Sequence, residues 1–394
     1  MGNYSRLFFL IIILFLAVFM LLNPQETVNA ASSGFKLWFS IIVPALLPFF
    51  ILAELLVNLG VPRILGILLE PIMRPLFNLP GCSSLVVVMG FTSGFPVGAI
   101  LSKKLYDEKM ISGEEISRLV SFTNNCSPLF IIGAVGVGMF GSPFLGYILA
   151  LSHYLSNLIV GMFWGLRTKK PLRNISRLPL SQELSQALAE ARENYYGPGK
   201  LLSDAIKNSL NNILAIAGFI ILFSVITQMF SFWGIIDLLA LFILKIFSIF
   251  NLSYELIYGW LMGLFEITIG ARAITATSPA NILPQLLAVS SILAWSGLSI
   301  IAQVMSIVVG TPVKLSFYLY SRLMQMFLSI FITTAAYKLL ATGQQSVLSF
   351  SLPYYKALYS FDAWGISIAC LWVCFLLLVF MLVASLWPQK ILKK

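Results

Sequence analysis

Glu266 is the residue whose setting most invites chemistry, because it lies in Gly263-Leu264-Phe265-Glu266-Ile267-Thr268-Ile269-Gly270, within an apolar stretch from Leu252 to Thr277. A charged side chain at bilayer depth costs at least about 2.5 to 3.5 kcal/mol on insertion scales, so this carboxylate is expected to face a cavity or a cation. Arg272 follows one short segment later, across an expected turn, and two readings of the pair stand open. In one, the two side chains simply neutralise each other. In the other, Glu266 couples movement to a proton or sodium ion, while Thr268 and Arg272 contact an anionic substrate.

Two further clusters have the same flavour. Gly90-Phe91-Thr92-Ser93-Gly94-Phe95-Pro96-Val97-Gly98 interrupts the apolar segment Cys82 to Tyr106. Three glycines and a proline do not continue one straight helix. The half-helix ends so created offer free N–H groups and a partial positive charge, suited to a carboxylate or phosphate, which makes Thr92, Ser93, Gly94 and Gly98 candidate substrate contacts. The alternative is glycines that let helices approach closely. Thr123-Asn124-Asn125-Cys126-Ser127-Pro128 interrupts another span. Asn124, Asn125 and Ser127 there either touch ligand or hydrogen-bond between helices, and Pro128 frees upstream carbonyls. Asn208, Asn211, Asn212, Gln303 and Ser306 are weaker candidates, and Glu54 is an interior polar contact. His153 reads as a hydrogen-bonded packing residue, and Cys82, Cys126, Cys370 and Cys374 as structural thiols without metal or redox spacing.

The elements that must position these residues are set by composition. The chain is 394 residues long, 59% hydrophobic and only 10% charged, against roughly 25% charged in a soluble domain. The bilayer is therefore the solvent, and about 20 apolar residues per span is the natural unit. A net charge of +10 would suit nucleic acid only on a soluble basic module, and the cations sit instead in short loops between apolar runs. No HExxH pair, GxSxG elbow or paired aspartates argue for an enzyme.

Hydropathy predicts an all-α polytopic fold with eight full spans: Leu7–Leu22, Lys36–Gly60, Arg118–Phe140, Pro143–Arg167, Asn208–Phe230, Leu286–Val309, Leu315–Tyr337 and Ala363–Trp387. The first is read as a retained span rather than a removed signal peptide. The loop from Arg167 to Lys207 holds eight basic and four acidic residues, which places it in the cytoplasm. That constraint is met if Cys82–Tyr106 and Leu252–Thr277 are re-entrant hairpins, the first entering from inside and the second from outside. Arg63–Asn78 and Phe232–Phe250 read as helices lying in the interface.

The two halves then repeat one order of parts in opposite orientation, an inverted repeat of the kind secondary transporters use around a midplane site. The expected division is an N-terminal span and external linker (1–35), a first gate-like repeat (36–167), a cytoplasmic linker (168–199), a second gate-like repeat (200–340), and a C-terminal span with a basic tail (341–394).

Gly94-Phe95-Pro96-Val97-Gly98-Ala99, the stretch Ser121 to Gly136 and Gly138-Met139-Phe140 resemble the YlbJ family of sporulation integral membrane proteins. That resemblance implies paired nucleoside-recognition gate domains similar to the hairpin-bearing halves of concentrative nucleoside transporters. It also implies a protein of endospore formers that passes dipicolinic acid from the mother cell across the outer forespore membrane. The expected partners are a small anionic solute, the lipid bilayer and, in a homo-oligomer, further copies of the chain. No nucleic acid, metal or organic cofactor is expected, only a coupling proton or sodium ion. A non-transporting assembly or signalling factor is the alternative.

Overall fold

The computed structural model describes residues 3–168, 197–246, 252–277 and 281–347. Every regular element among them is helical. α1 (Asn3–Leu22) is the first apolar run, and α2 (Pro24–Leu37) starts afresh on Pro24, a residue pre-set for a helix start. Residues 24–35, expected as linker, are thus helical. A π-wound turn at Trp38–Ile42 carries the chain into α3 (Val43–Asn58). Gly60, with φ 75°, ends that helix, and α4 (Val61–Phe77) follows at once. α4 stops at Asn78, whose left-handed φ of 53° sends its N–H back to Arg74 O.

The first hairpin is α5 (Ser83–Thr92) and α6 (Val97–Asp107), broken at Ser93–Pro96. α7 (Gly113–Thr123) begins in a capping box: Glu115 N–H donates to Ser112 Oγ at 3.3 Å and Ser112 N–H to Glu115 Oε2 at 2.8 Å. After the non-helical Asn124–Ser127 comes the π-wound α8 (Leu129–Met139), then α9 (Pro143–Arg167). The second half runs α10 (Pro198–Phe232), α11 (Ile235–Ile246), α12 (Tyr254–Phe265), α13 (Ile267–Thr275), α14 (Leu283–Trp295), α15 (Gly297–Ile307) and α16 (Leu315–Val347).

Among the described residues, four helices are long and apolar enough to cross a bilayer: Pro143–Arg167, Pro198–Phe232, Leu283–Ile307 and Leu315–Leu340. The pair Leu10–Leu22 and Pro24–Ser40, bent by 107°, makes a fifth if it counts as one span. Hydropathy predicts eight full spans, and several of those within the described residues are broken or bent. The expected span Arg118–Phe140 is cut by its own polar cluster at Asn124–Pro128. Lys36–Gly60 passes through the π-wound turn, and the α14–α15 span bends at Ser296, where φ is 76°. Ala363–Trp387 and nearly all of the expected cytoplasmic linker lie outside the described residues.

The packing is that of a protein dissolved in lipid. α16 buries Tyr318, Ser321, Arg322, Gln325, Ser329 and Thr333 while exposing Leu323, Phe327 and Phe331, the last to 74%. Polar side chains one turn apart thus face inward and aromatic ones outward, which hydrocarbon favours and water would not.

α10 gives the molecule an axis. Near its start Asn208 donates to Glu54 Oε2 at 3.3 Å, beside Lys104, whose Nζ reaches the same oxygen at 2.9 Å. Near its far end Gln228 donates to Glu26 Oε2 at 2.9 Å, and Ser231 meets Tyr258 OH at 2.6 Å. The open end of the α5–α6 hairpin, carrying Lys104, lies at the first end. The open end of α12–α13, carrying Tyr258 and Arg272, lies at the second.

Candidate functional site

Both hairpins are built on glycine. A Cβ on Gly90 would meet the Thr123 carbonyl oxygen at 2.2 Å, and one on Gly98 would meet it at 2.4 Å. The end of α7 is therefore clasped between the two arms of the first hairpin. In the second hairpin a Cβ on Gly270 would lie 2.1 Å from Gly263 Cα, so α12 and α13 touch backbone to backbone.

The first hairpin's tip rests on the break between α7 and α8. Asn124 joins the two: its Oδ1 accepts from Ala99 N–H at 2.9 Å, near the start of α6, and its Nδ2 donates to Val120 O at 2.9 Å, near the end of α7. Asn125 Nδ2 donates to Phe122 O at 3.2 Å, and its Oδ1 accepts from Asn157 Nδ2 of α9. Ser127 Oγ accepts Phe130 N–H at 3.2 Å. Gly94, with φ 92°, lies against Ser127, leaving only 3.0 Å for any Cβ. Thr92 Oγ1 bonds back to Val88 O at 2.9 Å, whereas Ser93 Oγ is buried without a partner. The predicted residues of the first half are therefore brought together, with most of their polar atoms engaged by backbone.

In the second half the turn falls at Glu266 itself. Its extended backbone, φ −141° and ψ 118°, breaks the hairpin, and its Oε2 caps α13 by accepting Ile269 N–H at 2.8 Å. The sequence reading put a turn between Glu266 and Arg272. Instead, α13 separates them, and no ion pair joins them. Thr268 is half-buried beside the cap. Arg272 is exposed and lines a pocket of about 480 Å³ with Asn29, Ser33, Ser224, Thr227 and Gln228. Among the described residues, no hydrogen bond or ion pair links this group to the first hairpin.

His153 carries the hydrogen-bonded packing role expected of it, its Nε2 accepting Cys126 N–H at 3.2 Å. Glu54 is an interior contact, as expected. Arg322 was missed. It is fully buried and donates to Asn124 O at 3.1 Å, to Ser121 O and to Asn157 Oδ1 at 3.1 Å, tying α16 to the same break. Its sequence signal was there to use: one cation inside an apolar span, flanked at helical spacing by Tyr318, Gln325 and Ser329.

Comparison with known proteins settles the lineage. The sporulation integral membrane protein YlbJ of Bacillus subtilis is 40% identical over 318 residues, which is 79% of this chain and 78% of that protein. The chain belongs to the YlbJ family. It is accordingly an integral membrane protein of a sporulation family, not of a family known as enzymes. The Gate family, described as nucleoside recognition, matches residues 39–163, which in this YlbJ-family chain take in the first hairpin, the α7–α8 break and nearly all of α9. An uncharacterized protein of Alkalihalophilus pseudofirmus is 27% identical over 173 residues, 42% of this chain and 32% of that protein. No solved structure matches the chain significantly.

Proposed function

We propose that this YlbJ-family chain carries a small anionic solute across a membrane, and that the solute is dipicolinate, moved from the mother cell across the outer forespore membrane. The observation that carries the reading is the pair of interrupted hairpins opening toward opposite ends of α10. Irregular backbone at membrane depth persists only where protein or a polar cavity satisfies it.

The order of elements in α4–α9 returns in α11–α16: a short helix, a hairpin, a broken helix and a long one. Contacts between the halves are reciprocal. α7 packs on α16 as α14 packs on α9, and α6 packs on α15 as α13 packs on α8. An inverted repeat around a shared centre accounts for both facts, and it supplies two equivalent ways to open that centre.

The Arg272 pocket supplies the anion chemistry. Its roughly 480 Å³ is of the size that small-molecule sites occupy. A guanidinium among amides and hydroxyls suits a planar dicarboxylate. Glu266, buried in the hairpin turn, takes the coupling proton or sodium ion. A non-transporting assembly factor is the second reading, favoured by the way Asn124, Asn125 and Glu266 spend hydrogen bonds inside the fold.

Purified chain in liposomes, given labelled dipicolinate with and without an imposed proton or sodium gradient, separates the two. Transport predicts saturable uptake that Arg272→Ala and Glu266→Gln each lower at least tenfold at normal protein abundance. Uptake no faster than in empty liposomes would leave the assembly reading standing.

A further inference from the structure

Arg322 is an unbalanced charge. Its three named partners are two carbonyls and an amide, none anionic, and its guanidinium lies 5.2 Å over the Tyr318 ring. No salt bridge among the described residues includes it. The last carbonyls of α7 supply only about half an elementary charge in opposition. A buried cation left this way is costly unless something else completes it.

The surrounding donors point to what that is. His153 Nε2 accepts Cys126 N–H. An accepting ring nitrogen carries no proton, so the proton sits on Nδ1 and makes that atom a donor. His153 Nδ1, Arg322 Nε and the Tyr318 hydroxyl are all buried, and none has a partner among the described residues. Gln325 Nε2, donating to His153 O at 3.4 Å, ties the same level of α9 to α16, and Gln325 Oε1 has no donor among the described residues. A permanent cation with an unmatched N–H of its own, and two further unmatched donors beside the unmatched acceptor Gln325 Oε1, call for a ligand that is negative and mainly accepts. Water neutralises nothing, and a metal ion would be repelled.

We infer that the seam between α9 and α16 around Arg322 is an occluded binding site for a carboxylate-bearing anion, an inner station beyond the Arg272 pocket. The inference rests on the transport reading only for the choice of dicarboxylate as probe.

The test is calorimetric titration of the full chain in nanodiscs with pyridine-2,6-dicarboxylate, run beside the liposome flux assay. Tyr318→Phe is the decisive variant, because its hydroxyl has no partner among the described residues, so its loss is expected not to lower the melting temperature. The site predicts saturable binding that Tyr318→Phe weakens about tenfold, the worth of one hydrogen bond to a charged group. Arg322→Lys, which keeps the charge but loses the fork, weakens it further. Identical affinity in wild type and Tyr318→Phe, or no saturable binding, overturns the site and assigns the donors to water. Tyrosine-sensitive binding without flux upholds the site and removes the transport reading. Flux with tyrosine-insensitive binding does the reverse.

Discussion

Glu54 and Lys104 form the clearest ion pair of the described interior, 2.9 Å apart with side chains 8% and 20% exposed, and Asn58 and Asn208 complete the cluster. Removing one member strands the other charge. Lys104→Met is expected to cost roughly 3 kcal/mol, and pairing it with Glu54→Gln to restore much of that. Thermal unfolding in detergent reads both. A double variant no more stable than Lys104→Met alone would show that the pair is not coupled. Glu266 teaches a related lesson: its carboxylate lies where helix α13 needs a cap, so one side chain serves both the turn and any ion it binds.

At the scale of elements, the hairpins depend on backbone contact rather than side-chain interlock. Gly98→Ala would push a methyl to 2.4 Å from the Thr123 carbonyl oxygen, and neither backbone yields easily. The expected loss is about 1 to 3 kcal/mol, seen as a lower melting temperature and less protein in the membrane. Gly218→Ala in α10, where nothing lies within 4 Å, should be neutral or stabilising by about 0.5 to 1 kcal/mol. Equal effects at the two positions would contradict the clasp.

For the whole molecule, the arrangement turns on sidedness. With the four natural cysteines replaced by alanine, Lys109→Cys beyond the first hairpin and Ala276→Cys beyond the second should react with an impermeant maleimide from opposite faces of the membrane. Both positions are exposed. Labelling from one face only would end the opposed-hairpin arrangement and, with it, the inverted repeat. Phe331→Cys, pointing outward from α16, should resist the reagent from either side.

The sequence determined what composition and local chemistry control. Apolar content required lipid, glycine and proline at 90–98 required a break, and the polar run at 123–128 had to interrupt its helix; each appears where the residues predicted. That short helices would form over 63–78 and within 232–250 was equally legible, and α4 and α11 stand there. Tertiary structure alone decided partners. One of the two open readings paired Arg272 with Glu266, but a turn that closes at Glu266 sends Arg272 along α13 into a pocket with Asn29 and Gln228. Arg322 was visible as a cation inside an apolar span, but the Ser121 and Asn124 carbonyls it meets, more than 190 positions away in sequence, were not. Local rules fix where a chain must bend or enter lipid, whereas the neutralisation of a buried charge depends on which distant segments the fold brings to it.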